Sequence, residues 1–285
     1  VSVSYELMNG FYIKGAAAVA NQYLHLITRN DIALPSDLWY PATANVQPSR
    51  STQYVFGLDK YFDEESYQSS VEVYYRDMKN IYEFKNSPEI NPLNNSIEDQ
   101  FVKGVGEAYG MELFFQKREG NLIGWIGYTL SWTKRKFDEL NLGKVFYPKY
   151  DRRHDLSLAA TYNLNEQITF GVTFTYATGM RYNAPSGQFV FNPIGISGTS
   201  QILFNYEDLN TYKFPAYHKL DLNFNYKISF TKTELNFYIN LYNVYNRRNA
   251  YAQFLVFSED SDGNETIKLK RISLFPFIPA AGVSI

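Results

Sequence analysis

Between Tyr150 and Met180 the chain alternates apolar and polar positions in steps of two. Leu156, Leu158, Ala160, Tyr162 and Leu164 are apolar, and Ser157, Ala159, Thr161 and Asn163 between them are small or polar. After a polar break from Asn163 to Glu166 the alternation restarts, with Ile168, Phe170, Val172, Phe174 and Tyr176 set against Thr169, Gly171, Thr173 and Thr175. Successive side chains of a strand point to opposite faces, so this stretch predicts a hairpin with one apolar and one hydrophilic side. Its second strand is apolar over about ten residues, the length at which a tilted strand crosses a bilayer.

The same period recurs along the chain. Val1–Leu7 is a first strand, closed by the hairpin dipeptide Asn9-Gly10. Phe11–Ile27 reads as the second, with a blurred alternation through its Ala-rich centre that predicts a bulge there. Tyr54, Phe56 and Leu58 mark the third and Val71, Val73 and Tyr75 the fourth, joined by the turn Asp63–Ser66. Tyr109, Met111, Leu113 and Phe115 mark the fifth; Leu122, Ile126, Tyr128, Leu130 and Trp132 mark the sixth, across Glu119-Gly120-Asn121. Beyond the hairpin already described, Leu220–Ile228 and Leu235–Leu241 form a ninth and a tenth around Thr231-Lys232, with a phase change near Asn243. After a loop at Ser258–Glu265 the chain ends on an eleventh, Ile272–Ile285. Short turns alternate with long loops after Ile27, Phe84, Phe137, Arg181 and Phe257. That sorting is expected of a transmembrane antiparallel β-barrel, with short periplasmic turns and long outward loops. A soluble meander has no physical reason for it.

Composition narrows the class further. Aromatic residues make up 18% of the chain, with 25 Tyr and 22 Phe against 3 Trp, the supply that two interfacial girdles require. No run of about 18 apolar residues exists to form a spanning helix. A mean hydropathy of −0.34 is compatible with a barrel, because half of each strand faces a polar lumen. The formal charge of −2 argues against nucleic acid as a partner. Without cysteine, disulfides, thiolate metal sites and a cysteine nucleophile are excluded, and no cofactor is implied.

The count is about eleven strands, the first and the last both running toward the short-turn side. An odd antiparallel set of that kind cannot close on itself. Val1 starts inside an alternating run with no signal peptide before it. Preceding strands are therefore expected, and an equally large missing part would make a barrel of about 22 strands, the size of a plugged transporter.

Specific stretches sharpen this picture. Asn21–Thr43 (NQYLHLITRNDIALPSDLWYPAT), Gly106–Asn141, Tyr147–Asn163 (YPKYDRRHDLSLAATYNLN), Asn236–Tyr251 (NFYINLYNVYNRRNAY) and Ile272–Ile285 (ISLFPFIPAAGVSI) resemble the C-terminal half of TonB-dependent outer-membrane receptors. The likeness is to those with an N-terminal carboxypeptidase-like regulatory domain. It covers essentially the whole chain, residues 1–285, as one C-terminal barrel portion. It implies a multi-pass barrel in the outer membrane of a Gram-negative bacterium that imports a scarce nutrient ligand and has no enzymatic activity. The partners implied are outer-membrane lipid, the receptor's own N-terminal plug and barrel half, the TonB complex acting through that N-terminal part, a surface lipoprotein and an unknown small ligand. Two departures stand out: the plug would precede Val1, and the family's usual terminal aromatic is replaced by Ile285.

Candidate chemistry is sparse. Of the three histidines, His25, His154 and His218, His154 lies beside Asp155, but strand neighbours point to opposite faces and do not form a hydrolytic dyad. No metal or catalytic residue is predicted. Glu72, Arg76 and Glu112 fall opposite the apolar rows and are expected to face the lumen, either in wall salt bridges or against substrate. Trp39 and Tyr40 in the first outer loop, and Phe189 and Phe191 in the longest, are the candidate ligand-stacking aromatics; packing of the loops on one another is the alternative. Two other classes remain open from sequence: a small outer-membrane rim protease or phospholipase, and a soluble β-rich adhesin or binding domain.

Overall fold

Eleven strands hydrogen-bond in chain order into one antiparallel sheet in the computed structural model. They are β1 (Ser2–Met8), β2 (Phe11–Gln22), β3 (Ser49–Phe62), β4 (Tyr67–Phe84), β5 (Phe101–Lys117), β6 (Leu122–Phe137), β7 (His154–Asn163), β8 (Ile168–Ala177), β9 (Tyr217–Ser229), β10 (Glu234–Tyr242) and β11 (Ile278–Ser284). The structure describes residues 1–28, 37–85, 96–184, 186–191, 201–205, 208–259 and 265–285. Among these, β1 pairs only with β2 and β11 only with β10, so the sheet is open at both edges. No described helix is long and apolar enough to cross a membrane.

Cross-strand register sorts the side chains into rows. One row runs Ile13, Leu58, Val71, Leu113, Tyr128, Leu156 and Tyr176. The adjacent row on the other face runs Lys14, Gly57, Glu72, Glu112, Thr129 and Asp155. A one-residue slip in any pair would mix the two, so the alternation in each strand fixes its register to its neighbours. The apolar face leaves Tyr54, Phe56, Val73, Phe115, Phe170 and Ile239 exposed, a continuous greasy surface that water would not tolerate.

Because the wall is a single layer with no second sheet packed on it among the described residues, buried apolar residues gather at the long-loop end. Ile81, Val102, Phe137, Leu140, Phe146 and Leu209 form one cluster, and Ile27, Val46, Tyr82 and Phe84 another. The β4 members of the two clusters lie on opposite faces of the sheet, assigned to them by a bulge at Asn80 (φ 54°). It shifts the register between Lys79 and Ile81, so Ile81 and Glu83 take the polar side and Tyr82 and Phe84 the apolar side.

Several sequence expectations are corrected. The second strand does not run to Ile27: β2 ends at Gln22, and Leu24–Ile27 pairs instead with Leu38–Pro41 in a separate hairpin. Pro48, just before the last β3 partner Ser49, has no N–H to continue the ladder. The Ala-rich centre holds no bulge, since pairing is unbroken from Phe11↔Lys60 to Gln22↔Ser49. Within the eleven-stranded sheet the irregularities lie between Glu6 and Met8 and at Asn80. The phase change near Asn243 is the end of β10: Asn243 is buried, its Nδ2 donates to the carbonyls of Arg247 and Phe275, and its N–H donates to Asp221. The last long loops carry strands of their own, Gly187–Phe191 with Gln201–Asn205 and Ala250–Glu259 with Glu265–Ser273. Ile272 therefore belongs to a loop hairpin, and β11 begins only at Ile278.

Candidate functional site: the polar wall and the long loops

On the polar face, Lys14 is the single charged residue of β2. Its Nζ lies 2.9 Å from Asp59 Oδ2 and also pairs with Glu72, two strands away. Gly57 lies between them on β3: a Cβ there would stand 2.7 Å from Lys14 Cε and 3.1 Å from Glu72 Cγ. The glycine opens the gap through which the lysine crosses. Glu72 is thus held in a wall-to-wall ion pair. Glu112 is directly opposite Glu72 on β5, and two like charges face each other there. Arg76, on the same face, donates from Nε and Nη2 to Gln53 Oε1 at 3.0 and 2.6 Å. Further along the sheet, Trp125, Thr173, Asp221, Asn223, Asn240 and Tyr242 line a trough of about 740 Å³. Sequence reading missed Lys14, Asp59 and this trough. The available signal was a lone lysine in an otherwise uncharged strand.

At the long-loop end the loops are tied to one another. Glu98 accepts hydrogen bonds from Tyr40 Oη (2.9 Å), Thr43 Oγ1 (2.8 Å) and Asn45 Nδ2 (2.7 Å), which hold its carboxyl below the usual carboxylate range. Lys149 Nζ lies 2.6 Å from Asp37 Oδ1, and the Tyr150 hydroxyl donates to the same carboxylate. Burial and that carboxylate push the Tyr150 hydroxyl upward. Arg181 Nε lies 3.0 Å from the buried Asp151 Oδ2, and its guanidinium sits 4.2 Å from the Tyr147 ring centre.

The candidate aromatics separate. Trp39 is 59% exposed. Tyr40 is half-buried, bonded to Glu98 and edge-on to Phe101 at 5.1 Å. Phe189 and Phe191 fall on the strand Gly187–Phe191, and their side chains lie outside the described residues. The histidines are dispersed. His154 Nδ1 is 2.8 Å from the Tyr128 hydroxyl, while Asp155 pairs with Thr129 on the opposite face. His218 Nδ1 is 2.8 Å from the Tyr245 hydroxyl. His25 is buried, with Nδ1 3.0 Å from Ser49 Oγ and its ring edge-on to Tyr82. Among the described residues no group of three His, Cys, Asp or Glu is placed to hold a metal.

The sequence matches the family described as TonB dependent receptor-like, beta-barrel over residues 4–244. No curated protein matches it by sequence. Similar solved structures include the Pseudomonas aeruginosa receptor FpvA bound to heterologous pyoverdines (TM-score 0.60, 14% identity, 99% of this chain and 32% of that one). Another is the iron transporter FrpB from Neisseria meningitidis (TM-score 0.57, 13% identity, 99% and 38%). A third is the ferric-catecholate import receptor Fiu from K12 E. coli (TM-score 0.55, 14% identity, 95% and 33%). The chain therefore spans about a third of the length of the structures it resembles. With rows of apolar and polar side chains on opposite faces, long loops tied together at one end and a family match over most of its length, this chain belongs to the TonB-dependent receptors, as part of their outer-membrane β-barrel.

Proposed function

We propose that this chain forms the C-terminal part of the barrel of an importer that draws a scarce nutrient ligand across the outer membrane with energy from TonB. The observation that carries this reading is the segregation of cross-strand rows. Hydrocarbon suits the row from Ile13 to Tyr176, and a wet interior suits the row from Lys14 to Asp155. The polar face would surround the receptor's plug, and the plug, the remaining barrel strands and the contact with TonB would come from other parts of the receptor. Glu72, Arg76 and Glu112 would then line the lumen, with Glu112 the one among them left open to a plug or substrate cation.

The long loops would gather ligand at the cell surface. Trp39 is the exposed aromatic that fits this task; Tyr40 would act by holding the loop that presents it, and Phe189 and Phe191 remain proposed contacts of the longest loop. Of the solved structures named above, Fiu is a ferric-catecholate import receptor, FpvA is bound to pyoverdine and iron, and FrpB is an iron transporter, which makes ferric chelates the first ligands to test here. The loops would also offer a seat for a surface lipoprotein. The opposed faces of His154 and Asp155 argue for transport rather than rim hydrolysis.

The test is accumulation of a labelled ferric chelate by cells whose only receptor is the one carrying this chain. Uptake should stop when TonB is deleted, and Trp39→Ala should weaken binding about tenfold, the effect of losing one stacking aromatic of about 1.4 kcal/mol. Uptake that continues without TonB would overturn the importer reading.

A further inference from the structure

The apolar face is graded from the bilayer outward. Gly15, Phe56, Val73, Met111 and Leu130 form one cross-strand row. Two residues nearer the long loops, Ala17, Tyr54, Tyr75, Tyr109 and Trp132 form an aromatic row, with Tyr109 and Trp132 stacked at 5.4 Å. This is where an interfacial girdle belongs. The next row is Val19, Thr52, Asp77, Glu107 and Lys134, in which Lys134 Nζ pairs with Glu107 at 3.3 Å. The row beyond is Asn21, Arg50, Lys79, Val105 and Lys136.

That last row is chemically unlike the others. Arg50, Lys79 and Lys136 are all exposed. Among the described residues none of the three has an ion pair, in contrast to Lys134 one row below. Arg50 and Lys79 are direct cross-strand partners, an arrangement of like charges that opposes strand pairing unless an anion lies between them. Asp77 and Glu107 are the carboxylates of the row below, and with Glu107 engaged by Lys134 only Asp77 remains to offset three cations. The three span about 14 Å across neighbouring strands, room for more than one phosphate. They lie about 13 Å along the strands beyond the aromatic row, and about 9 Å along the membrane normal at a tilt of 45°. That depth is past the acyl boundary and level with lipid headgroups.

We propose that Arg50, Lys79 and Lys136 form a binding site for the phosphates of lipid A in the outer leaflet. The site faces the membrane rather than the lumen. It rests on the outer-membrane placement of the barrel with its long loops outward, and not on which ligand is imported.

The test uses the intact receptor carrying this chain, in bilayer discs of phosphatidylcholine with a small fraction of bis-phosphorylated lipid A. Retained lipid is counted by native mass spectrometry. Replacing Arg50, Lys79 and Lys136 together by Gln should weaken retention about 100-fold, a factor of about five for each cation lost near an anionic surface. Replacing Lys85 and Lys144, in the loops, should leave it unchanged. Dephosphorylated lipid A should bind the natural receptor as poorly as phosphorylated lipid binds the triple variant. Wild-type retention should also fall as salt rises from 0.05 to 0.5 M, as expected of charge pairing, a reading that needs no variant to fold. Equal retention by the triple variant, indifference to salt, or full displacement by millimolar inorganic phosphate would each overturn the lipid assignment. Loss of TonB-dependent uptake with lipid A retention intact would count against the importer reading and leave this site standing.

Discussion

Arg135 Nη1 lies 2.7 Å from Glu83 Oε1, and the glutamate side chain is wholly buried. The two residues sit on β6 and β4 with β5 between them, Arg135 opposite Gly106 and Glu83 opposite Val102. Glu83 reaches this face only because the bulge at Asn80 reverses the parity of the last β4 residues. Breaking a buried ion pair by removing one partner costs about 3–5 kcal/mol, whereas replacing both partners by apolar groups is often neutral. Arg135→Met should lower the unfolding midpoint of the receptor sharply, and adding Glu83→Leu should restore most of the loss. Urea unfolding followed by heat-modifiable gel mobility measures both.

Close approach of the loops makes a second demand. At Gly179, just past β8, a Cβ would stand 1.8 Å from the Phe214 carbonyl oxygen and 2.8 Å from that of Pro215. Backbone cannot yield as a flexible side chain does. Gly179→Ala should therefore destabilise by about 1–3 kcal/mol, the usual cost of overpacking. Gly187→Ala, where nothing lies within 4 Å, serves as the control and should be near neutral. A fall of several degrees in the melting temperature at one site and not at the other is the expected result.

What the sequence made legible follows from period two. Each wall strand carries its own alternation, and the hairpins Asp63–Ser66, Glu119–Asn121 and Thr231-Lys232 are short enough to set the pairing of neighbours, so order and register of the sheet were readable. The Leu24–Ile27 hairpin was not: Leu24 and Leu26 fall out of phase with Ile13 and Val19 of β2, but the Ala-rich centre blurs the alternation and hides the change, which falls at the exposed Tyr23. The Asn80 bulge left a trace that could have been read: apolar positions are odd at Val71, Val73 and Tyr75 and even at Tyr82 and Phe84. Of the site, face could be inferred but partner could not. Glu72 was assigned to the polar side, yet nothing in a linear reading joins it to Lys14, because that contact spans two strands and depends on the absence of a side chain at Gly57.

The first outer loop should loosen in acid. Burial lowers the pKa of His25 below its ordinary value near 6.5, so the folded state holds the ring neutral while the unfolded segment protonates. Stability from this group is complete above about pH 6.5 and is lost as pH falls below it toward the folded value. Glu98 adds a second step. Its folded pKa is depressed, so its three hydrogen bonds from Tyr40, Thr43 and Asn45 hold above the ordinary carboxylate range and are lost as pH falls through the lowered value. Amide exchange in Leu24–Ile27 and in its partner strand Leu38–Pro41, corrected for intrinsic rate, should accelerate between about pH 6.5 and 5. His25→Gln should remove that acceleration and leave the more acidic Glu98 step.

The two-sided wall makes the most direct prediction, because Glu72 and Val73 are adjacent on β4 and face opposite ways. Val73 sits one row toward the membrane interior from the aromatic row, between Phe56 and Met111. A positive charge there must be desolvated into hydrocarbon or snorkel past the aromatics, at a cost of about 2–4 kcal/mol near the midplane. Val73→Arg should therefore reduce the amount of folded receptor in the outer membrane. Glu72→Gln changes charge on the wet side, where the released Lys14 keeps Asp59 as a partner at 2.9 Å, and folding should be nearly unaffected. Comparing the heat-modifiable fraction in isolated outer membranes separates the cases. If Val73→Arg folds as well as Glu72→Gln, the face carrying Val73 is not in contact with lipid, and the assignment of inside and outside fails for the whole sheet, since its register links every strand to this one.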